Sequence, residues 1–197
     1  MANGLIRHSP LGVFADRFAR LPDSVAVQEE PFVAMVDLWV DPSSPGAAAA
    51  ARVLGVDALP QTASTTVTAG DTTVIWFGPD EWLVTSTASV PEHLEARLRE
   101  AVVEHGGAAV DVSAQRTTIR LRGARARDVL AKGCSIDLHP SAFPAGAAVQ
   151  TMLGQAAVVL MASGDEGTDY RVLVRSSFAR YLAEWLLDAA EEFGVDW

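Results

Sequence analysis

One order of patterns runs through this 197-residue chain twice, and it narrows the folds open to it: strand, short helix, three strands, long helix. In the first pass, FVAMVDLWV over residues 32–40 mixes alternation with apolar residues and stops at Asp41-Pro42, where proline cannot continue a ladder. Ser43-Ser44-Pro45 opens an alanine-rich helix over 46–54 that closes near Gly55. Strands are predicted over 63–68, 72–77 and 81–85, joined at Gly70-Asp71 and Gly78-Pro79-Asp80 by turns suited to antiparallel neighbours. Ser89 and Glu92 are spaced as a capping box, and the helix they would start carries Leu94, Leu98 and Val102 on one face before Gly106-Gly107.

The second pass has a strand over 117–121, a short helix with Ala126, Val129 and Leu130 inward, and Gly133 as its expected C-cap. Strands follow over 148–153, 156–162 and 170–174, and a last helix begins near Ser176 or Ser177. Phe178, Tyr181, Leu182, Trp185, Leu186, Ala189 and Phe193 recur along it at helical spacing. A helix placed between a strand and an antiparallel group must cover one face of the sheet. Each half therefore reads as a split-βαβ unit of the α+β class. The expected organisation is an N-terminal arm over 1–30, a first α+β half over 31–108 and a second over 109–197, the two halves packed as one compact unit. The repeat lies in architecture and hardly in residue identity, so a single domain with coincident order is the alternative.

With 49% hydrophobic residues the chain can bury one sizeable core or two smaller ones. Its net charge of -10 repels phosphate backbones and anionic lipid, which argues against nucleic-acid and membrane partners. The first residues lack the apolar run of a secretory leader, and no stretch of 18 apolar residues occurs. A cytoplasmic location is the expectation.

The residues show little that could perform chemistry. Cys134 is the single cysteine and reads as a small buried hydrophobe. His93 and His105 sit at opposite ends of one predicted helix, about 18 Å apart at 1.5 Å per residue, too far to share a metal. His139 lies in the one long irregular segment and reads first as a solvated loop residue. Asp80 and Glu81, adjacent near a strand start, face opposite sides of a sheet. Asp111, Ser113, Gln115 and Arg116 suit a structured turn in which Arg116 pairs with Asp111. Arg120, Arg122, Arg125, Arg127 and Lys132 fit either solvent-facing positions or contact with an acidic group. No glycine pattern of a nucleotide site is present. Trp76 and Trp82, which flank the turn in WFGPDEWLV, serve either the core or a protein interface, as does Trp39.

The run VDVSAQRTTIRLRGARARDVLAKGCSIDLHPSAFPAGAAVQTMLGQAAVVL, then YRVLVRSSFARYLAEWLLDAA, together with WFGPDEWLV and LGVFADRF, resembles the gamma subunit family of heterotetrameric sarcosine oxidase across nearly the whole chain. That family is similar in turn to the folate-binding domains of the glycine-cleavage aminomethyltransferase. The resemblance implies a non-catalytic subunit that works beside alpha, beta and delta subunits, chiefly alpha. FAD, FMN, NAD and tetrahydrofolate are implied for those other subunits and no cofactor for this one. The complex would oxidatively demethylate sarcosine to glycine with hydrogen peroxide and, when tetrahydrofolate is present, 5,10-methylenetetrahydrofolate. No catalytic, cofactor-binding or metal-binding residue carries over. Trp39, Trp76 and Trp82 are the interface candidates, and an independent folate-binding transferase or assembly factor is the competing expectation.

Overall fold

The computed structural model of the chain describes residues 7–164 and 166–194. A short helix, α1 (Ala15–Phe18), precedes strand β1 (Ala26–Glu30). The first pass then runs β2 (Ala34–Trp39), α2 (Pro45–Leu54), β3 (Thr66–Ala69), β4 (Thr72–Gly78), β5 (Glu81–Ser86) and α3 (Pro91–Val102). The second runs β6 (Ala108–Asp111), β7 (Arg116–Arg122), α4 (Ala126–Ala131), β8 (Ala148–Leu153), β9 (Ala156–Ala162), β10 (Asp169–Arg175) and α5 (Ala179–Ala190). The class is α+β with two five-stranded sheets, ordered β1-β7-β10-β9-β8 and β6-β2-β5-β4-β3, and every strand pair within them is antiparallel.

Written this way, the strand orders of the two sheets correspond one to one, except that each has exchanged its edge. β1 directly precedes β2 in the chain but pairs with β7, and β6 directly precedes β7 but pairs with β2. The segment before residue 31, expected to be an irregular arm, thus ends in a strand of the second half's sheet. Strand β6, which had no counterpart in the expected order, closes the first half's sheet. The boundary expected at 108/109 falls inside β6. The exchange ties each half to the other through main-chain hydrogen bonds as well as side-chain packing.

Alternation along the strands creates three apolar layers. One face of the β2 sheet presents Val36, Leu38, Trp82 and Val84 to Ala50 and Leu54 of α2 and to Leu94 and Leu98 of α3. One face of the other sheet presents Ile119, Leu121, Val172 and Val174 to α4 and to Leu182 and Leu186 of α5. The remaining faces meet through Val33, Met35, Ile75 and Leu83 on one side and Ala148, Val159, Met161 and Leu173 on the other. The layer order is helices, sheet, sheet, helices. Along the β3 and β8 edges the sheets are stitched by backbone bonds from Thr66 to the Gly146 carbonyl and from Ala148 to the Ser64 carbonyl.

Local chemistry sets both ends of α2, whereas two other expected helix ends form differently. Ser44 caps α2 by accepting from the Ala47 amide, Pro45 occupies the first turn, and Gly55 ends it at φ 72°. At α3 the cap position is Val90, and the expected Ser89–Glu92 box does not form. The Ser89 hydroxyl instead accepts a hydrogen bond from Ser86 at 3.0 Å, while the Ser89 amide donates to Ser86 Oγ. At α4 the C-cap is Lys132 in a right-handed conformation, so Gly133 does not serve as a left-handed cap. Its requirement is space: a Cβ there would lie 2.4 Å from Cζ2 of Trp185. On the final helix, Leu182, Leu186 and Ala189 are buried, whereas Tyr181 and the preceding Phe178 are exposed.

Candidate partner-binding surface

The three tryptophans separate cleanly. Trp82 is fully buried between β5 and helices α2 and α3, with its Nε1 donating to the Pro60 carbonyl at 2.8 Å. It is removed as an interface candidate, because its ring and its one donor are both satisfied inside the chain. Trp76 pairs with Trp82 across β4 and β5 on the same sheet face and is half-buried. Trp39, at the end of β2, is 42% exposed. It stands opposite Glu81 and Ala108, on the sheet face that also carries Asp37 and the exposed Val110.

That face continues the inter-sheet layer outward, and there it becomes charged. Arg116 of β7 and Arg175 of β10 lie directly opposite each other in register, with Asp37 and Glu81 across from them on the other sheet. Burial lowers the pKa of Arg116, and the Arg175 charge adds to the effect, while Asp37 and Glu81 oppose it. The Arg116 guanidinium stands 5.9 Å from the centre of the Phe77 ring. It does not pair with Asp111 as expected. The Asp111 carboxylate accepts from the Ser113 amide and hydroxyl at 2.9 and 2.6 Å and closes a local turn, and Ser113 Oγ in turn accepts from the Met35 amide.

Glu81 has its pKa raised by burial first, then by the charges of Asp37 and Asp80. A raised carboxyl pKa means the folded chain favours the protonated form. The resulting stability is complete below the unfolded value and is lost as pH rises through the folded value, above the ordinary 4.5. Glu81→Gln is therefore expected to melt slightly higher than the parent chain at pH 7, with the difference closing below about pH 4.5. Thermal melts across pH 4 to 7.5 check this, and a gap that widens on acidification would reverse the sign.

At the opposite end of the same strands, charge is neutralised internally. Arg120 makes two bonds to Asp169 at 2.6 and 3.0 Å, and Arg171 makes two to Glu30 at 2.7 and 3.2 Å. Arg125 pairs with Asp128 and Lys132 with Glu192, so much of the basic segment is bound within the chain. Cys134 is buried in the second core. Among the described residues the exposed His139 engages its own loop, its Nδ1 lying 2.8 Å from Ser141 Oγ. Among the described residues, no group of three or more His, Cys, Asp or Glu is placed to hold a metal ion, and no helix is long and apolar enough to cross a membrane. The arrangement offers exposed aromatic and arginine side chains at the rim of a sheet sandwich, the residue types that anchor protein contacts.

Comparison with known proteins places the chain in a family. Residues 40–192 match the sarcosine oxidase, gamma subunit family. The gamma subunit of sarcosine oxidase from Corynebacterium sp. (strain P-1) is 36% identical over 97% of this chain and 93% of its own length. That from Arthrobacter sp. is 35% identical over 95% and 92%. Among solved structures, a chain of the heterotetrameric sarcosine oxidase from Corynebacterium sp. U-96, in complex with pyrrole 2-carboxylate, superposes with a TM-score of 0.89 at 32% identity, covering 98% of this chain and 99% of that one. The glycine cleavage system aminomethyltransferase T from Bartonella henselae gives a TM-score of 0.63 at 17% identity, covering 90% of this chain and 49% of that one, a likeness of fold alone. With the family match spanning most of the chain and the relatives matched nearly end to end, this chain belongs to the sarcosine oxidase gamma subunit family.

Proposed function

We propose that the chain is a non-catalytic structural subunit of a cytoplasmic heterotetrameric sarcosine oxidase, assembled with alpha, beta and delta subunits and packed chiefly against alpha. The complex oxidatively demethylates sarcosine to glycine with release of hydrogen peroxide and, with tetrahydrofolate, forms 5,10-methylenetetrahydrofolate. FAD, FMN, NAD and tetrahydrofolate belong to the other subunits. The observation that carries this reading is the near end-to-end superposition on a chain of a heterotetrameric sarcosine oxidase. A free-standing folate enzyme would need an enclosed pocket with converging polar groups. Among the described residues, the cleft between the sheets lined by Glu30, Thr73, Thr118 and Arg171 is instead partly filled by the Arg171–Glu30 ion pair.

Affinity purification of the chain from its native cell extract tests the reading. Co-purification of three further subunits with bound flavin and sarcosine-dependent peroxide production is the expected result. A lone, colourless chain under gentle conditions would overturn it. Trp39→Ala is expected to leave the melting temperature of the isolated chain nearly unchanged, since the side chain is already 42% exposed. It should weaken association by about tenfold or more, the range of an aromatic anchor.

A further inference from the structure

Strands β7 and β10 carry two cross-strand arginine pairs on the same inner face, Arg120 opposite Arg171 and Arg116 opposite Arg175. Like charges placed directly opposite on a sheet repel. The first pair is offset by Asp169 and Glu30, each gripped through two hydrogen bonds. The second has no such relief: among the described residues neither Arg116 nor Arg175 has a carboxylate within 4.0 Å. Asp37 and Glu81 attract Arg116 from the far sheet only at longer range. Both guanidinium groups line an open cleft of about 440 Å³ whose wall also includes Gln150, Thr151 and the 47% exposed Met152. Two fork-shaped cations, amide and hydroxyl groups and an adaptable apolar side chain are what a protein carboxylate and its methylene stem would meet.

We propose that the cleft between the Arg116–Arg175 end of β7 and β10 and strand β8 receives an acidic side chain of a partner subunit, which does for this arginine pair what Asp169 and Glu30 do for the other. The inference rests on the chain being a subunit of the heterotetramer and adds where one contact falls and of what charge. A carboxylate suits the cleft because the rest of the surface, at net charge -10, repels acidic partners and leaves this pair as a local exception. The inserted acid would also relieve the repulsion between the two arginines.

The test uses the complex reconstituted from all four subunits. Arg175→Glu is expected to weaken incorporation of this chain by at least tenfold, and Arg175→Gln by less, while both isolated chains melt at or slightly above the parent, because Arg175 is exposed, has no ion-pair partner among the described residues and repels Arg116. Arg52→Glu, on the far side of the first sheet in α2, serves as the charge control and should assemble normally. A photo-crosslinking residue at position 175 should join a partner peptide containing Asp or Glu near the linked site. Should Arg175→Glu fail to fold, the glutamine variant and the cross-link decide. Normal incorporation of folded Arg175 variants, or a cross-link to a segment without acidic residues, overturns the proposal while leaving the subunit reading intact. Failure of the parent chain to assemble overturns both.

Discussion

Gly123→Ala is expected to lower the melting temperature by about 6 to 12 °C, a loss of about 3 kcal/mol or more for a chain of this size. Gly123 directly follows β7 at φ 120°, a conformation that residues with a Cβ rarely adopt. A Cβ there would stand 2.3 Å from the Ser24 carbonyl oxygen, 2.5 Å from its carbon and 2.7 Å from the Asp23 oxygen, all of them backbone atoms that cannot rotate aside. The close approach is held on both sides, since Gly123 donates to the Thr168 carbonyl and Arg125 donates to that of Ser24. Residues 23–25 lead directly into β1, so relief of the clash would pull the exchanged strand away from β7. Gly12→Ala is the matched control, for no atom lies within 4 Å of its Cβ and its backbone is not left-handed. Differential scanning calorimetry of the two variants decides the matter. Equal melting temperatures would mean that the segment before β1 is not seated on this turn in solution.

That exchanged strand is also where the sequence was least legible. The repeated order of strands and helices could be read because many elements carry a local signal: alternation over residues 117–121 in β7, a short apolar run in β9, and a period of 3.6 in α3 and α5. β1, with the sequence AVQEE, and β6, with AAVD, are short edges in which only Val27 and Ala109 are buried, so neither announces itself locally. Their partners lie about ninety and seventy residues away, and pairing at that separation leaves no hairpin signal in the sequence. The failed capping box has a different cause. Ser86, three residues before Ser89, competes for the same hydroxyl, and only the folded turn after β5 decides between them. Gly133 was marked by its residue type, but its reason, the Trp185 ring, comes from a helix some fifty residues on.

The candidate surface was harder to read than the fold. Arg116 belongs to VDVSAQR, where local spacing favours a partner at Asp111, yet strand alternation turns it to the inner face and the register places Arg175 beside it. The useful signal was the alternation itself: Arg116, Arg120 and Arg122 occupy one face of β7, which no local charge pattern explains. Registers between distant strands then determine which arginines meet acids of the same chain.

Trp82 supplies the second large effect, and it separates core from interface. Trp82→Ala is expected to cost about 3 to 5 kcal/mol, because a fully buried indole between a sheet and two helices leaves a cavity that Leu38, Leu54 and Leu98 can only partly close. Trp82→Phe keeps most of the ring volume but strands the Pro60 carbonyl, whose donor at 2.8 Å disappears, at a cost of about 1 to 3 kcal/mol. The graded series, alanine below phenylalanine below parent in urea midpoint, is the mark of a packed and hydrogen-bonded side chain. Folded Trp82→Phe chain should then join the complex with parental affinity, because nothing of the indole reaches the surface. Trp39→Ala should show the reverse, parental stability with weakened assembly. An unchanged urea midpoint for Trp82→Ala together with impaired assembly would exchange the roles of the two tryptophans and move the proposed partner surface from the rim of the sheet sandwich to the turn between β4 and β5.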